Sequence, residues 1–186
     1  MLRVIGGRLK GARLKTPKGL ATRPVQAKVR EALFSILGDM DGVRFLDLFA
    51  GTGAVGIEAL SRGASDAVFV ESGARQCRII RENLASVGSE ARVFRSDTIR
   101  ALKRLESAGC RFDIVFADPP YETGLSQETV SLVCSGPFLS GDALLALTVY
   151  KTESLPGASG GCETVFDRSY GDTRLVVYRN GPSTAS

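Results

Sequence analysis

Residues 47–56 read Asp47-Leu48-Phe49-Ala50-Gly51-Thr52-Gly53-Ala54-Val55-Gly56. They join an apolar run, Val43–Phe49, to a helical pattern over Ala54–Arg62. Strand, glycine turn and helix in that order mark the opening unit of a parallel α/β sheet. The pattern continues downstream with strands at Ala67–Glu71, Ala91–Arg95, Phe112–Ala117 and Ala143–Tyr150. Helices are expected at Ala74–Val87, Thr98–Glu106 and Ser126–Ser135. Strands separated by helical crossovers imply a mostly parallel sheet covered on both faces, with right-handed connections. The end differs: Cys162–Asp167 and Thr173–Arg179 are consecutive strand candidates joined across Tyr170-Gly171-Asp172. The expected fold is therefore Rossmann-like α/β, with a seven-stranded sheet ending in an antiparallel C-terminal hairpin.

Gly51, Gly53 and Gly56 satisfy G-x-G-x-x-G, which alone points to a dinucleotide enzyme. Glu71 lies 20 residues after Gly51, where a carboxylate can accept hydrogen bonds from a ribose diol. Asp47 separates two ligands. A pyrophosphate brought against this turn would be repelled by a carboxylate at the strand end. S-adenosylmethionine has no phosphate and carries an ammonium and a sulfonium, so Asp47 suits it. The expected cofactor set is Asp47, Phe49, Ala50, Gly51, Thr52 and Gly53 at the turn. Glu71 and Ser72 join it after the second strand, Asp97 and Thr98 after the third, and Asp118 after the fourth. Asp97 has a competing role as the cap of the helix that starts at Thr98.

Asp118-Pro119-Pro120-Tyr121 follows the fourth strand. The prolines fix φ and lack N–H, so the segment cannot join a ladder and forms a rigid ledge. The Asp118 carboxylate and the Pro119 carbonyl can both accept from one –NH2 group, aiming its lone pair at a methyl donor. Tyr121 offers a ring face to a base, which must be flipped out or already unpaired. Asp118, Pro119, Pro120 and Tyr121 are the expected catalytic residues. Positioning does much of the work, because the sulfonium is already activated.

The chain has 186 residues, net charge +4 and no histidine. Apolar runs are too short to span a bilayer, and a cytoplasmic location is expected. Four cysteines without a CxxC pair, and no histidine, make zinc improbable. Free or buried thiols in a reducing compartment are expected. Charge is uneven. Residues 1–30 hold nine basic and no acidic side chains, whereas the rest hold 15 basic and 20 acidic. A basic arm on an acidic body suggests a polyanion partner. The competing reading is a solubilising tail. Glycines and apolar residues interleave with the charges, favouring a short ribbon over 2–15. A turn at Thr16–Gly19 and a helix from Gln26 to Leu37 follow, with Val29, Leu33, Ile36 and Leu37 on one face.

The chain resembles the bacterial 16S ribosomal RNA guanine-N2 methyltransferase (RsmD-like) family over nearly its whole length. The resemblance rests on Arg3-Val4-Ile5-Gly6-Gly7, Thr22-Arg23-Pro24, Val29–Phe34, the glycine turn, Glu58–Ala64, Asp118–Tyr121 and Tyr170–Thr173. It implies a SAM-dependent methyltransferase domain at 39–186 and a basic RNA-binding extension at 1–38. The substrate it implies is a guanine of 16S ribosomal RNA, presented on the small ribosomal subunit or a precursor. It also implies that Arg3, Arg8, Lys10, Arg13, Lys15, Arg23 and Arg30 contact phosphates, which position without specifying sequence. A monomer without metal is expected. Val25, Ala27 and Thr148 depart from the family's usual Thr, Asp and Glu, all on the substrate side. The rivals are a DNA adenine or cytosine amino-methyltransferase, a protein-glutamine enzyme, a non-catalytic RNA-binding assembly factor and a dehydrogenase.

Overall fold

The computed structural model describes residues 2–17, 27–121 and 123–181. The chain starts with a two-stranded ribbon, β1 (Leu2–Arg3) and β2 (Arg13–Leu14), paired antiparallel with Leu2 opposite Leu14. Helix α1 (Ala27–Leu37) follows. The alternating body comprises β3 (Arg44–Leu48), α2 (Ala54–Ser61), β4 (Asp66–Glu71), α3 (Ala74–Ser86), β5 (Arg92–Arg95) and α4 (Thr98–Ser107). It continues with β6 (Phe112–Ala117), α5 (Leu125–Ser135) and β7 (Leu139–Tyr150), then β8 (Ala158–Ser159), β9 (Cys162–Tyr170) and β10 (Thr173–Asn180).

The main sheet has the order β5-β4-β3-β6-β7-β10-β9-β8. The first five strands are parallel and the last three pair antiparallel. All seven expected strands are present. An eighth is added at the edge, where Gly160 at φ 54° turns the expected 151–161 loop back so that Ala158 pairs with Glu163. Strand β7 starts four residues earlier than its apolar run suggests, because Leu139 pairs with Phe112 and the polar Ser140–Asp142 step sits at a register shift.

Side chains alternate across the sheet and build two cores. One face packs Phe45, Phe69 and Phe116 against α2, α3 and α1. The other packs Leu46, Val68 and Val115 against α4 and α5. The buried face of α1 is Val29, Arg30, Leu33, Phe34 and Leu37. Ile36, expected in that face, is only half-buried, and Phe34 replaces it by stacking on Phe45 at 6.5 Å. The change of sequence character at residue 38 is not a break in packing: Val4, Leu14 and Leu33 share one apolar cluster with Phe45 and Phe69.

The ribbon is also held by polar contacts from α2. Buried Glu58 accepts the N–H groups of Ile5 and Gly6, both at 2.7 Å, and pairs with Arg62 at 2.9 Å. Ser61 Oγ donates to the Gly6 carbonyl at 2.6 Å and accepts from Leu9 N–H at 2.9 Å. The Val4–Gly7 and Glu58–Arg62 motifs are thus two halves of one joint.

The cysteines correct an expectation. Cys134, at the end of α5, and Cys162, at the start of β9, form a disulfide with Cα atoms 5.5 Å apart, within bridging range. Cys77 and Cys110 are free. The pairing depends on the eighth strand folding back beside α5, which no spacing in the sequence announces. Lys18, Gly19, Thr22, Arg23, Pro24, Val25 and Gln26 lie outside the described residues. No helix among the described residues is long and apolar enough to cross a membrane.

Candidate active site

The parallel strands β3, β4, β5 and β6 end on one side of the sheet, and a cavity of about 590 Å³ opens there. This is the crevice at the carboxyl ends of the strands where α/β sheets bind ligands. Leu48 and Ala117 are paired neighbours, so the residues after them, Phe49 and Asp118, enter the cavity side by side. Phe49 has φ 59°, rare for a side chain of that size. The strain sits at the sharp exit from β3, where the chain leaves the sheet to form the glycine turn.

Gly53 caps α2 at φ 76°. It stands behind the wall; Phe49, Ala50, Gly51 and Thr52 form the wall itself. Gly56 has no room for a side chain: a Cβ would lie 2.4 Å from the Phe69 ring and 3.2 Å from Asp47 Oδ2. That closeness lets Gly56 N–H donate to Asp47 at 2.9 Å.

Four carboxylates line the cavity, those of Asp47, Glu71, Asp97 and Asp118, and no Lys or Arg does so among the described residues. Glu71 accepts from Gly51 N–H at 2.9 Å and from Gly73 N–H at 2.7 Å, bridging the first two strand-end turns. Asp47 is buried. Burial, together with the nearby Asp118 and Glu71 charges, pushes its carboxyl up to about 8 against the single Gly56 hydrogen bond. Burial likewise pushes Asp118 up to about 6. A pocket with this charge distribution repels pyrophosphate and favours a cation.

Asp97 performs the competing role foreseen for it. It caps α4 by accepting from Arg100 N–H at 2.9 Å, while still lining the cavity beside Ser96 and Thr98. Ser72 also lines it. Several lining groups carry no motif signal: Pro17 at the ribbon's exit, Gln76 on α3, Ile99 on α4 and Leu125 on α5. Ile99 follows directly from Asp97 and Thr98, and is the one the helix start could have suggested.

Asp118, Pro119, Pro120 and Tyr121 also line the cavity, as a ledge at the end of β6. Tyr121 is exposed, its ring 5.7 Å from that of Tyr150 and its hydroxyl 3.4 Å from Thr173 Oγ1. Fully buried Thr148, on the neighbouring strand β7, donates its hydroxyl proton to Asp118 Oδ1. This leaves Oδ2 for a ligand. A donor to the charged form favours ionisation, so Thr148 offsets part of the burial effect on Asp118. Thr148→Val removes that donor and is expected to move the acid limb of the pH–rate profile up by about one unit. The loss then approaches tenfold below about pH 6 and is small above about pH 8. Thr148→Ser restores the wild-type profile.

The basic residues divide. Arg3, Arg8, Lys10, Arg13 and Lys15 are exposed on the ribbon. Lys15 pairs with Glu82 at 3.0 Å. Arg30 is a correction: it is 2% exposed and donates to the Arg3 carbonyl at 2.8 Å. Burial lowers its pKa, with Glu58 opposing. It anchors β1 to α1 from inside and is not placed to meet a phosphate. Its position on the buried stripe of α1, one residue after Val29, was the available signal.

Among the described residues, no group of His, Cys, Asp and Glu is arranged to hold a metal.

Sheet order, antiparallel C-terminal hairpin and strand-end cavity together define a Rossmann-like, class I methyltransferase fold. The solved structure of yhhF from Escherichia coli superposes with a TM-score of 0.85 at 33% identity, covering 98% of this chain and 99% of that one. YlbH of Bacillus subtilis is 34% identical over 181 residues, 96% of this chain and 98% of the relative. Ribosomal RNA small subunit methyltransferase D of Escherichia coli is 36% identical over 157 residues, 83% of this chain and 78% of the relative. Residues 2–179 match the family described as Conserved hypothetical protein 95. The chain belongs to that family, the RsmD-like methyltransferases.

Proposed function

We propose that the protein transfers a methyl group from S-adenosylmethionine to the exocyclic N2 amine of a guanine in 16S ribosomal RNA, on the small subunit or its precursor. The observation that carries this reading is the cavity lined by four carboxylates and, among the described residues, by no basic group, with the Asp118–Tyr121 ledge as part of its wall. Glu71 would take the ribose, Asp97 the adenine amino group, and Asp47 the cationic end of the cofactor. Asp118 and the Pro119 carbonyl would accept from the target –NH2 while Tyr121 stacks on the base. The new N–CH3 bond forms as the S–CH3 bond breaks. S-adenosylhomocysteine leaves, and the nitrogen's proton passes to Asp118 or to water.

The ribbon supplies phosphate contacts through Arg3, Arg8, Lys10, Arg13 and Lys15, with Arg23 in the segment that follows. Replacing exposed Arg8, Lys10 and Arg13 with glutamine, which leaves the packed ribbon in place, is expected to weaken RNA binding and flatten its salt dependence by about 0.7–0.9 units per lost contact. A salt titration of RNA affinity checks it.

The deciding experiment incubates the protein and labelled S-adenosylmethionine with small ribosomal subunits from cells lacking this gene. The RNA is digested to nucleosides and the labelled one identified by mass spectrometry. Labelled N2-methylguanosine is expected. Labelled N6-methyladenosine or N4-methylcytidine would reassign the base, and an unlabelled RNA would overturn the substrate.

A further inference from the structure

The division into a basic arm and an acidic body hides a second division within the body. Residues 74–111 carry nine basic and four acidic side chains, whereas 39–73 and 112–186 together carry six basic and 15 acidic. Those 38 residues are not a tail. They form α3, β5 and α4, and β5 is the outer strand of the sheet. Helix α3 packs on one face of that sheet and α4 on the other. Together they wrap a single edge, and all nine basic side chains are exposed there.

Edge strands carry charge to prevent sheet-to-sheet pairing, which would account for Arg92 and Arg95 on β5 itself. It does not account for the arginines and lysine on the outward faces of both flanking helices. Local ion pairs neutralise only part of this charge. Arg92 pairs with Asp66 and Arg100 with Asp97. Arg78, Arg95, Lys103 and Arg111 make no ion pair among the described residues.

The edge is continuous with the ribbon and with the cavity. Arg8 reaches Ser89, just before β5, at 3.4 Å, and Lys15 reaches Glu82 on α3 at 3.0 Å. At its other end, Arg95 and Arg100 flank the Ser96–Ile99 segment that lines the cavity. We propose that the α3–β5–α4 edge is a second RNA-binding surface, engaging the phosphate backbone of a ribosomal RNA segment outside the hairpin that carries the target base. The proposal rests on the ribosomal RNA reading above. A folded polyanion is the partner this surface fits: exposed guanidiniums spread over three elements match phosphates placed at intervals. Apart from the Asp118–Tyr121 ledge that receives the base, the acidic remainder of the body would turn away from the RNA.

The test substitutes Arg78, Arg95 and Lys103 together with glutamine in the full-length protein. Affinity for small ribosomal subunits is measured as a function of salt, alongside methyl transfer to subunits and to a short RNA hairpin holding only the target. Expected are an apparent KM for subunits raised about tenfold and a salt slope flattened by about two to three units. Affinity for S-adenosylmethionine and activity on the hairpin should be unchanged. The single variants Arg78→Gln and Lys103→Gln lie on outward helix faces. Each should flatten the slope by just under one unit, which keeps the test open if the triple variant does not fold. Unchanged affinity and slope would overturn the proposal and leave the charges as guards of a sheet edge. Edge-dependent binding without any methyl transfer by the wild type would instead sink the enzymatic reading and leave this surface standing.

Discussion

Asp118→Asn is expected to lower kcat by about 10²–10³-fold while S-adenosylmethionine affinity stays within about threefold. Asparagine keeps an acceptor oxygen and preserves the shape of the ledge, so the cofactor's wall is intact. It loses the negative charge that stabilises the ammonium-like nitrogen as the methyl arrives. It also brings an –NH2 of its own against the substrate's amine, donor facing donor. Asp118→Ala loses both oxygens and leaves Thr148 Oγ1 without its acceptor. Its deficit should be at least as large. Single-turnover methylation with subunits in excess, beside filter binding of labelled cofactor, separates chemistry from affinity. The pH profile gives a second reading. Activity needs the carboxylate, which is pushed up to about 6, so wild-type activity should fall as pH drops through that value. The asparagine variant should show no such limb. Equal kcat in wild type and Asn variant would remove Asp118 from the chemistry.

What the sequence disclosed follows from which interactions are local. The alternation of short apolar runs with helical patterns is written into neighbouring residues, and every strand of four residues or more was recovered from it. The glycine turn was legible because backbone approach and a positive φ demand glycine at positions such as 53 and 56. Asp47, Glu71 and Asp118 were legible because all of them end or follow strands that must run parallel, which puts them in one crevice. Contacts made only by tertiary closure were not. Thr148 meets Asp118 across 30 residues because β7 lies beside β6. Cys134 meets Cys162 only after the two-residue β8 folds back. Arg30 looks like one more member of a basic run, yet its helix stripe turns it inward against the Arg3 carbonyl. Charge counted along the chain made the body acidic. Charge placed on the fold separates a basic edge from an acidic remainder.

Asp47→Asn is expected to abolish measurable S-adenosylmethionine binding while making the ligand-free protein more stable by roughly 1–3 kcal/mol at pH 8 and above. The two effects share one cause. The Asp47 carboxyl is buried beside two other carboxylates and is pushed up to about 8. The unfolded chain releases that proton near its ordinary value of 3.8. Between those values the native state binds more protons than the unfolded one, so stability falls as pH rises. Above about 8 the full cost of holding the buried charge is present; below the unfolded value it is gone. Asparagine has nothing to ionise, so its melting temperature should be higher than wild type at pH 8–9 and should not show this decline. A sulfonium and an ammonium reverse the sign for the wild type, because they favour the ionised carboxylate. Binding near pH 7 should therefore release protons, and affinity should climb with pH until about 8. Calorimetry in buffers of different ionisation enthalpy reads the proton release, and thermal melts across pH read the stability. If the asparagine variant bound the cofactor with wild-type affinity, the cavity's selectivity would have to rest on Glu71 and the glycine turn, and Asp47 would be a structural strut for Gly56 alone.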